Sequence, residues 1–250
     1  MGMPIGIDVR DEEVDPAALD RAFDWLRWVD ATFSTYKRDS EISRLNRGEI
    51  SREECHGDVQ AVLERCEQLM RETGGYFDIR TDSLPPEGGA SSGIDPSGLV
   101  KGWAVERAGE ILDAAGARNS SINAGGDVRV RGRPSPEEPY WRVGIQHPLI
   151  RDKIAAVVAG FNVGVATSGA YERGEHIVDP HTGTPPQGIL SVTIVGADLA
   201  TADAYATAAF AMGAGGPAWT SRLFGYEAMT ITADERVLYT RAFPSAPAST

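Results

Sequence analysis

The chain has 250 residues, 24 Lys and Arg against 36 Asp and Glu, and a formal net charge of −12. This length suits one large domain, and the negative charge excludes a nucleic-acid backbone or an anionic membrane surface as the main partner. A phosphate-bearing ligand would need positively charged groups at its binding site. No apolar run is long enough to cross a membrane, and acidic residues stand where a signal peptide is apolar, so we expect a cytoplasmic protein unless a leader has been removed.

The first half of the chain predicts one strand and three helices. Hydropathy alternates over Ile5–Val9, as in a half-buried strand, and apolar side chains then recur at helical spacing. Asp15-Pro16 is a typical helix start, and Gly74 and Gly116 are typical helix stops. The predicted helices span 16–33, 58–73 and 98–115.

The second half combines short strand-like segments with one long helix. The expected strands begin near residue 121, continue around 141–145 and include 154–159, 163–167, 176–179 and 190–195; a helix over 199–212 and a hairpin of 228–232 with 236–240 follow. This order lacks regular βαβ alternation, so we expect an α+β fold. We also expect a single domain of mixed strands and helices over 1–243 and a flexible tail over 244–250.

The two cysteines give no sign of a metal site or a disulfide. Cys55 and Cys66 form no CxxC pair and have no Cys/His grouping around them. We therefore expect both to be ordinary reduced or buried thiols.

Two oxygen-bearing side chains share one face of the last long predicted helix. Asp203 and Thr207 are four residues apart, so the carboxylate and the hydroxyl project from the same side. Hard oxygens in this arrangement suit Mg²⁺, which keeps several waters and bridges to substrate phosphates. In the structural alternative, Asp203 stabilises the helix dipole and Thr207 bonds back to a backbone carbonyl.

A turn of small residues leads into the predicted helix that contains Lys101. Asp95-Pro96-Ser97-Gly98 would present backbone N–H groups at the helix start, and the Lys101 ammonium lies in the first turn. This combination indicates a phosphate-binding site. The segment lacks the Walker spacing, however, and a plain capped helix has the same pattern.

Two other segments are candidates for a site. Residues 123–127 (NAGGD) form a strand broken by paired glycines, which indicates either close approach of a ligand or a simple bulge. His176 precedes Asp179-Pro180 and is a candidate general base, with a structural or solvated histidine as the alternative. Neither a GxSxG elbow nor a GxGxxG turn after a strand is present, which argues against a serine hydrolase and a Rossmann dinucleotide site.

Taken in order, these segments resemble the ApbE family, the FAD:protein FMN transferases. The matching segments are 33–36 (FSTY), 40–46 (SEISRLN), 73–78 (TGGYFD), 97–102 (SGLVKG), 123–127 (NAGGD), 166–169 (ATSG), 176–180 (HIVDP) and 202–204 (ADA). Each is weak alone, but their joint order over about 1–213 is specific.

The resemblance implies an α+β fold that holds FAD in a cleft, with Mg²⁺ at the FAD pyrophosphate. It implies four metal ligands, the side chains of Asp203 and Thr207 and the backbone carbonyls of Gly98 and Ala206. It also implies FAD contacts from Met1, Tyr36, Asp95, Lys101 and Val178.

The implied reaction is attack by a threonine hydroxyl of a target protein on the FMN-side phosphorus of FAD. AMP leaves, and FMN remains on the target in a phosphoester link. Asp203 and His176 would be the catalytic residues, the first holding the metal and the second taking the hydroxyl proton. Two alternatives share most of these residues, namely an FAD pyrophosphatase that gives FMN and AMP and a non-catalytic FAD-binding protein.

Overall fold

A seven-stranded antiparallel sheet forms the centre of the computed structural model, which describes residues 2–80, 93–169 and 177–246. The ten strands are β1 Ile5–Val9, β2 Ser120–Ala124, β3 Asp127–Arg131, β4 Trp141–Gln146, β5 Ile154–Gly160, β6 Val163–Gly169, β7 Ile189–Gly196, β8 Tyr226–Thr232, β9 Val237–Tyr239 and β10 Ser245–Ala246. The large sheet has the order β1-β2-β3-β6-β7-β8-β9, and a smaller sheet has the order β10-β5-β4.

Six α-helices accompany the sheets in the described residues. They are α1 Ala17–Phe33, α2 Glu41–Asn46, α3 Gly57–Glu72, α4 Ser97–Ala114, α5 Leu199–Ala211 and α6 Gly216–Thr220. The alanines of α5 are buried along most of its length, as expected for a helix that is apolar on all sides. This helix packs against both α4 and the sheet.

The large sheet buries a different core on each face, because successive side chains of a strand point to opposite sides. Ala166 of β6 and Val192 of β7 belong to the core shared with the helices. Val165 of β6 and Val128 of β3 belong to a second core beneath the small sheet. Asp127 and Arg129, which alternate with Val128 along β3, therefore face the helices.

Most of the predicted elements agree with the structure. Strand β1 has the predicted bounds, and α1, α3 and α4 each lie within one residue of prediction. The two cysteines are free and buried, as predicted, and burial raises the pKa of the Cys66 thiol to about 12.

Two local predictions are wrong. Ile177 and Val178 lie outside any strand, and Asp179 makes only an isolated bridge with Thr184. The predicted flexible tail begins too early, because Ser245–Ala246 pair with β5 as strand β10. The edge of β5 provides backbone hydrogen-bonding partners for this short strand.

Within the residues that the structure describes, no helix combines the length and the apolar character needed to cross a membrane.

Candidate functional site

Three buried charges meet where α4, α5 and the start of β3 come together. The Lys101 ammonium lies 2.7 Å from Asp127 Oδ2 and 3.5 Å from Asp203 Oδ1. Asp127 is fully buried, Asp203 is 3% exposed, and the Lys101 side chain is 15% exposed. We call these three residues the Lys101 cluster.

Glycine at position 102 allows α4 to approach the start of α5. A Cβ atom at this position would lie 2.7 Å from the carbonyl oxygen of Leu199 and 2.8 Å from Ala200 Cα. The close approach lets the Gly102 N–H donate to Asp203 Oδ2 at 3.1 Å. Asp203 is thus held by the backbone of one helix while it projects from the other.

The start of α5 is also held by a partly buried carboxylate. Glu106 Oε1 of α4 accepts a hydrogen bond from the Leu199 N–H at 2.5 Å, and it forms an ion pair with Arg129 Nε of β3 at 2.9 Å. Asp198, the N-cap residue, accepts from the Thr201 N–H at 2.7 Å. A carboxylate at a helix N-terminus satisfies free N–H groups and complements the dipole. These bonds fix the position of Asp203 relative to α4 and the sheet.

Burial raises the pKa of the Asp203 carboxyl above its usual range, Lys101 opposes this shift, and Asp127 adds to it. The largest cause is loss of solvation of the buried carboxylate, and the second carboxylate, Asp127, adds a smaller effect in the same direction. An additional positive charge next to Asp203 would therefore be favoured.

Oxygen atoms suited to a metal ion lie one turn further along α5. Thr207 Oγ1 is 3.5 Å from Ser168 Oγ, and a Cβ atom built on Gly98 would lie 3.7 Å from Thr207 Oγ1. Gly98 therefore lies close to Thr207, and a side chain at this position would also crowd Phe77, whose Cε2 atom would lie 3.2 Å from the Cβ. Ala206 is buried on the same helix.

This set of donors fits Mg²⁺. A carboxylate, a hydroxyl and backbone carbonyls are all hard oxygen ligands, and Mg²⁺ is typically bound through one or two carboxylates together with substrate phosphates. The described residues contain no group of three or more His, Cys, Asp or Glu side chains able to hold a metal ion. Within those residues, the site therefore offers a metal ion few charged ligands besides the Asp203 carboxylate.

The other predicted contacts are more scattered. Tyr36 is 98% exposed in the segment after α1, and Val178 is half-buried. Asp95 Oδ1 accepts from the Ser97 N–H at 3.0 Å at the start of α4. Met1 and His176 lie outside the described residues. From the predicted set, the structure thus brings Lys101 close to Asp203 and Gly98 close to Thr207.

Asp127 and Asn46 are residues of the site region to which the sequence assigned no role. Both belong to segments that carry the family resemblance, and Asp127 follows two glycines with positive φ, Gly125 and Gly126. The sequence signal for Asp127 was its position, because it is an acidic residue that opens a strand and is followed by an apolar residue. Asn46 had no such signal, because its side chain hydrogen-bonds to the backbone of Ile94, which is 48 residues away in sequence.

Comparisons with known proteins identify a family for this chain. The family model described as "ApbE family" matches residues 1–85 and 86–230. A protein of Haemophilus influenzae named FAD:protein FMN transferase is 28% identical over 244 residues, which cover 75% of this chain and 70% of the relative. A protein of Vibrio cholerae with the same name is 27% identical over 256 residues, which cover 82% of this chain and 75% of the relative.

Solved structures show the same fold. The flavin transferase ApbE from Vibrio cholerae superposes with a TM-score of 0.82 at 22% identity, covering 97% of this chain and 95% of the other. The ApbE protein from Thermotoga maritima gives a TM-score of 0.81 at 23% identity, with 96% and 94% coverage. The α+β prediction is therefore confirmed.

Proposed function

This chain belongs to the ApbE family, and we propose that it is a Mg²⁺-dependent FAD:protein FMN transferase whose acceptor is a threonine hydroxyl of a target protein. The observation that carries this proposal is the position of Asp203. It is a buried carboxylate at a helix–helix crossing, with Thr207 one turn away on α5 and Gly98 packed against Thr207.

The proposed reaction is a phosphoryl-group transfer. The threonine oxygen attacks the FMN-side phosphorus of FAD, a new P–O bond forms, and the bond from that phosphorus to the bridging oxygen breaks. AMP leaves with the bridging oxygen and its electron pair, and the hydroxyl proton passes to a base. We assign this proton transfer to His176 on sequence grounds.

The residues of the site would divide the remaining work. The Asp203 and Thr207 side chains and the carbonyls of Gly98 and Ala206 would hold Mg²⁺, which neutralises phosphate charge and stabilises the charge developing on AMP. Asp95 and Lys101 would bind FAD from the start of α4, where backbone N–H groups favour an anion.

The remaining FAD contacts lie away from the Lys101 cluster. Tyr36 would pack against the cofactor, and its almost complete exposure leaves the ring available for this contact. The backbone at Val178 would lie along the ligand, and Met1 would border the flavin.

The transfer activity is tested by incubating the protein with FAD, Mg²⁺ and a target protein that contains an acceptor threonine. AMP release and the mass of the target are followed together. AMP with an FMN adduct on the target supports transfer, whereas AMP with free FMN identifies an FAD pyrophosphatase. Absence of AMP release would indicate a non-catalytic FAD-binding protein.

Asp203→Asn tests the metal site with little change in side-chain volume. We expect AMP release to fall by about 100-fold or more, since loss of one group that stabilises transition-state charge has effects on this scale. Circular dichroism checks that the variant is folded. The matched control is Asp113→Asn, which removes a carboxylate that pairs with Arg131 at the outer end of α4. Equal activity of the two variants would contradict the assignment of Asp203.

A further inference from the structure

The Lys101 cluster contains one ammonium and two buried carboxylates, so its formal charge is negative by one unit. The distances within it are unequal, because Lys101 Nζ is 2.7 Å from Asp127 but 3.5 Å from Asp203. Coulomb attraction weakens with distance. Of the two carboxylates in the cluster, Asp127 therefore attracts Lys101 more strongly, and Asp127 has no part in the metal ligation proposed above.

Asp127 is held firmly in this position. Its Oδ1 atom accepts a hydrogen bond from the Thr167 N–H at 3.1 Å, and its side chain is completely buried. It opens β3 directly after Gly125 and Gly126, whose φ values of 58° and 101° form the turn from β2. Glycine adopts such conformations readily. The turn and the neighbouring strand β6 therefore fix the carboxylate that faces Lys101.

We propose that Asp127 is a positioning residue that holds the Lys101 ammonium and thereby leaves the negative charge of Asp203 available to a divalent cation. This inference rests on the proposed function, since it concerns the same metal site. Without the Asp127 charge, Asp203 is the remaining carboxylate in the cluster. Lys101 would then neutralise Asp203 directly and compete with the cation.

The charge count gives a test by double substitution. Asp127→Asn keeps the side-chain shape and an oxygen for the Thr167 N–H, but it brings the formal charge of the cluster to zero. Adding Lys101→Met restores a net charge of minus one and retains most of the apolar stem. Comparing the single and double variants therefore distinguishes the effect of the cluster's charge on cation binding from the effect of side-chain packing.

The first measurement is the Mg²⁺ concentration that gives half-maximal AMP release. We expect about a tenfold increase in Asp127→Asn, because the loss of one nearby charge changes cation affinity on this scale. The double variant is compared in metal binding without FAD, because Lys101 is also proposed to contact FAD, and there we expect its cation affinity to return to within about threefold of that of the unsubstituted protein. If the double variant remains as weak as the single one, Asp127 has only a packing role and the proposal is wrong. Asp113→Asn is again the matched control and should leave the Mg²⁺ requirement unchanged.

The second measurement is direct metal binding, without FAD or target. Mn²⁺ is titrated into each variant, and the free ion is followed by its electron paramagnetic resonance signal. The same order of affinities is expected, with Asp127→Asn weakest. Unchanged Mn²⁺ binding in this variant would overturn the proposal.

The third measurement follows Lys101 itself. The chain has three lysines, Lys37, Lys101 and Lys153, so an amine-acylating reagent and peptide mass spectrometry resolve each one. Lys101 should react more slowly than Lys37, whose side chain is 51% exposed. In Asp127→Asn we expect Lys101 to stay protected, since it would move onto Asp203, and to become reactive when Asp203→Asn is added. Acylation of Lys101 at the Lys37 rate in the single variant would show that it moves into solvent and would contradict the proposal.

Failure of the proposed function would look different. A protein that releases no AMP under any condition would fail as a transferase, whereas Mn²⁺ binding and lysine acylation would still decide the role of Asp127.

Discussion

Asn46 holds the chain segment that leads into α4. Its Nδ2 atom donates to the Ile94 carbonyl at 2.9 Å, and the Ile94 N–H donates to Asn46 Oδ1 at 2.8 Å. One side chain thus satisfies both backbone groups of Ile94, as a neighbouring strand would. The Asp95 N–H donates to the Ile79 carbonyl at 2.7 Å. These bonds place Asp95 at the start of the helix that carries Gly98 and Lys101.

We expect Asn46→Ala to lower the free energy of unfolding by about 2 kcal/mol, because two partly buried hydrogen bonds of about 1 kcal/mol each are lost. We also expect weaker FAD binding, since the loss loosens the segment just before Asp95. Urea unfolding and a fluorescence titration with FAD measure the two effects.

Gln146→Ala is the control for this substitution. It removes an exposed amide that donates to the Arg151 carbonyl at 2.8 Å, away from α4. We expect a change below about 0.5 kcal/mol and unaltered FAD binding. An Asn46 variant that behaves like the Gln146 variant would show that the two bonds to Ile94 do not position the site.

At the scale of elements, the crossing of α4 and α5 decides where Asp203 lies. The two helices touch through backbone at Gly102, where a Cβ atom would lie 2.7 Å from the Leu199 carbonyl oxygen. The contact leaves no room for a methyl group unless one helix moves. Any such movement also alters the hydrogen bond from the Gly102 N–H to Asp203 Oδ2.

Gly102→Ala should therefore lower the free energy of unfolding by about 1 to 3 kcal/mol, as overpacked cores do, and should reduce AMP release. Gly57→Ala is the matched control, because a Cβ at this helix-start position meets nothing within 4 Å. The control should be neutral or slightly stabilising, since alanine has the higher helix propensity. Thermal unfolding of both variants makes the comparison, and equal midpoints would contradict the close crossing.

The sequence predicts α1, α3 and α4 to within one residue because apolar periodicity is a local signal. It also places Asp203 and Thr207 on one helix face for the same reason. The sequence does not predict that Lys101 pairs with Asp127 and Asp203, since Asp127 is on a strand and Asp203 is on another helix. Their meeting depends on strand order, in which β6 inserts beside β3, and no local pattern specifies that order.

At the scale of the whole molecule, the large sheet has two cores with different roles. The core on the helix face surrounds the candidate site, whereas the second core lies under the small sheet and includes Phe243. Strand β10 follows Phe243 and pairs with β5. The last described residues of the chain thus belong to the core remote from the site.

Truncation after Ala242 removes Phe243 and β10 together. We expect it to lower the free energy of unfolding by about 3 kcal/mol or more, since loss of a buried aromatic side chain has this cost. Truncation after Ala246 is the control, because it leaves Phe243 and β10 in place, and we expect no change. Guanidinium unfolding of both proteins measures the difference. Equal stability would mean that the second core does not depend on this segment.

The contact between Gly102 and Asp203 joins residues 101 positions apart, and this separation sets an order during synthesis. A ribosome releases the backbone of α4, then Asp127, and only much later the helix that carries Asp203 and Thr207. A nascent chain that ends before α5 already holds Lys101 and Asp127 but lacks both side chains proposed to bind the metal. The proposed cation would therefore stabilise only states in which α5 has docked against α4, and not the intermediates that precede this docking.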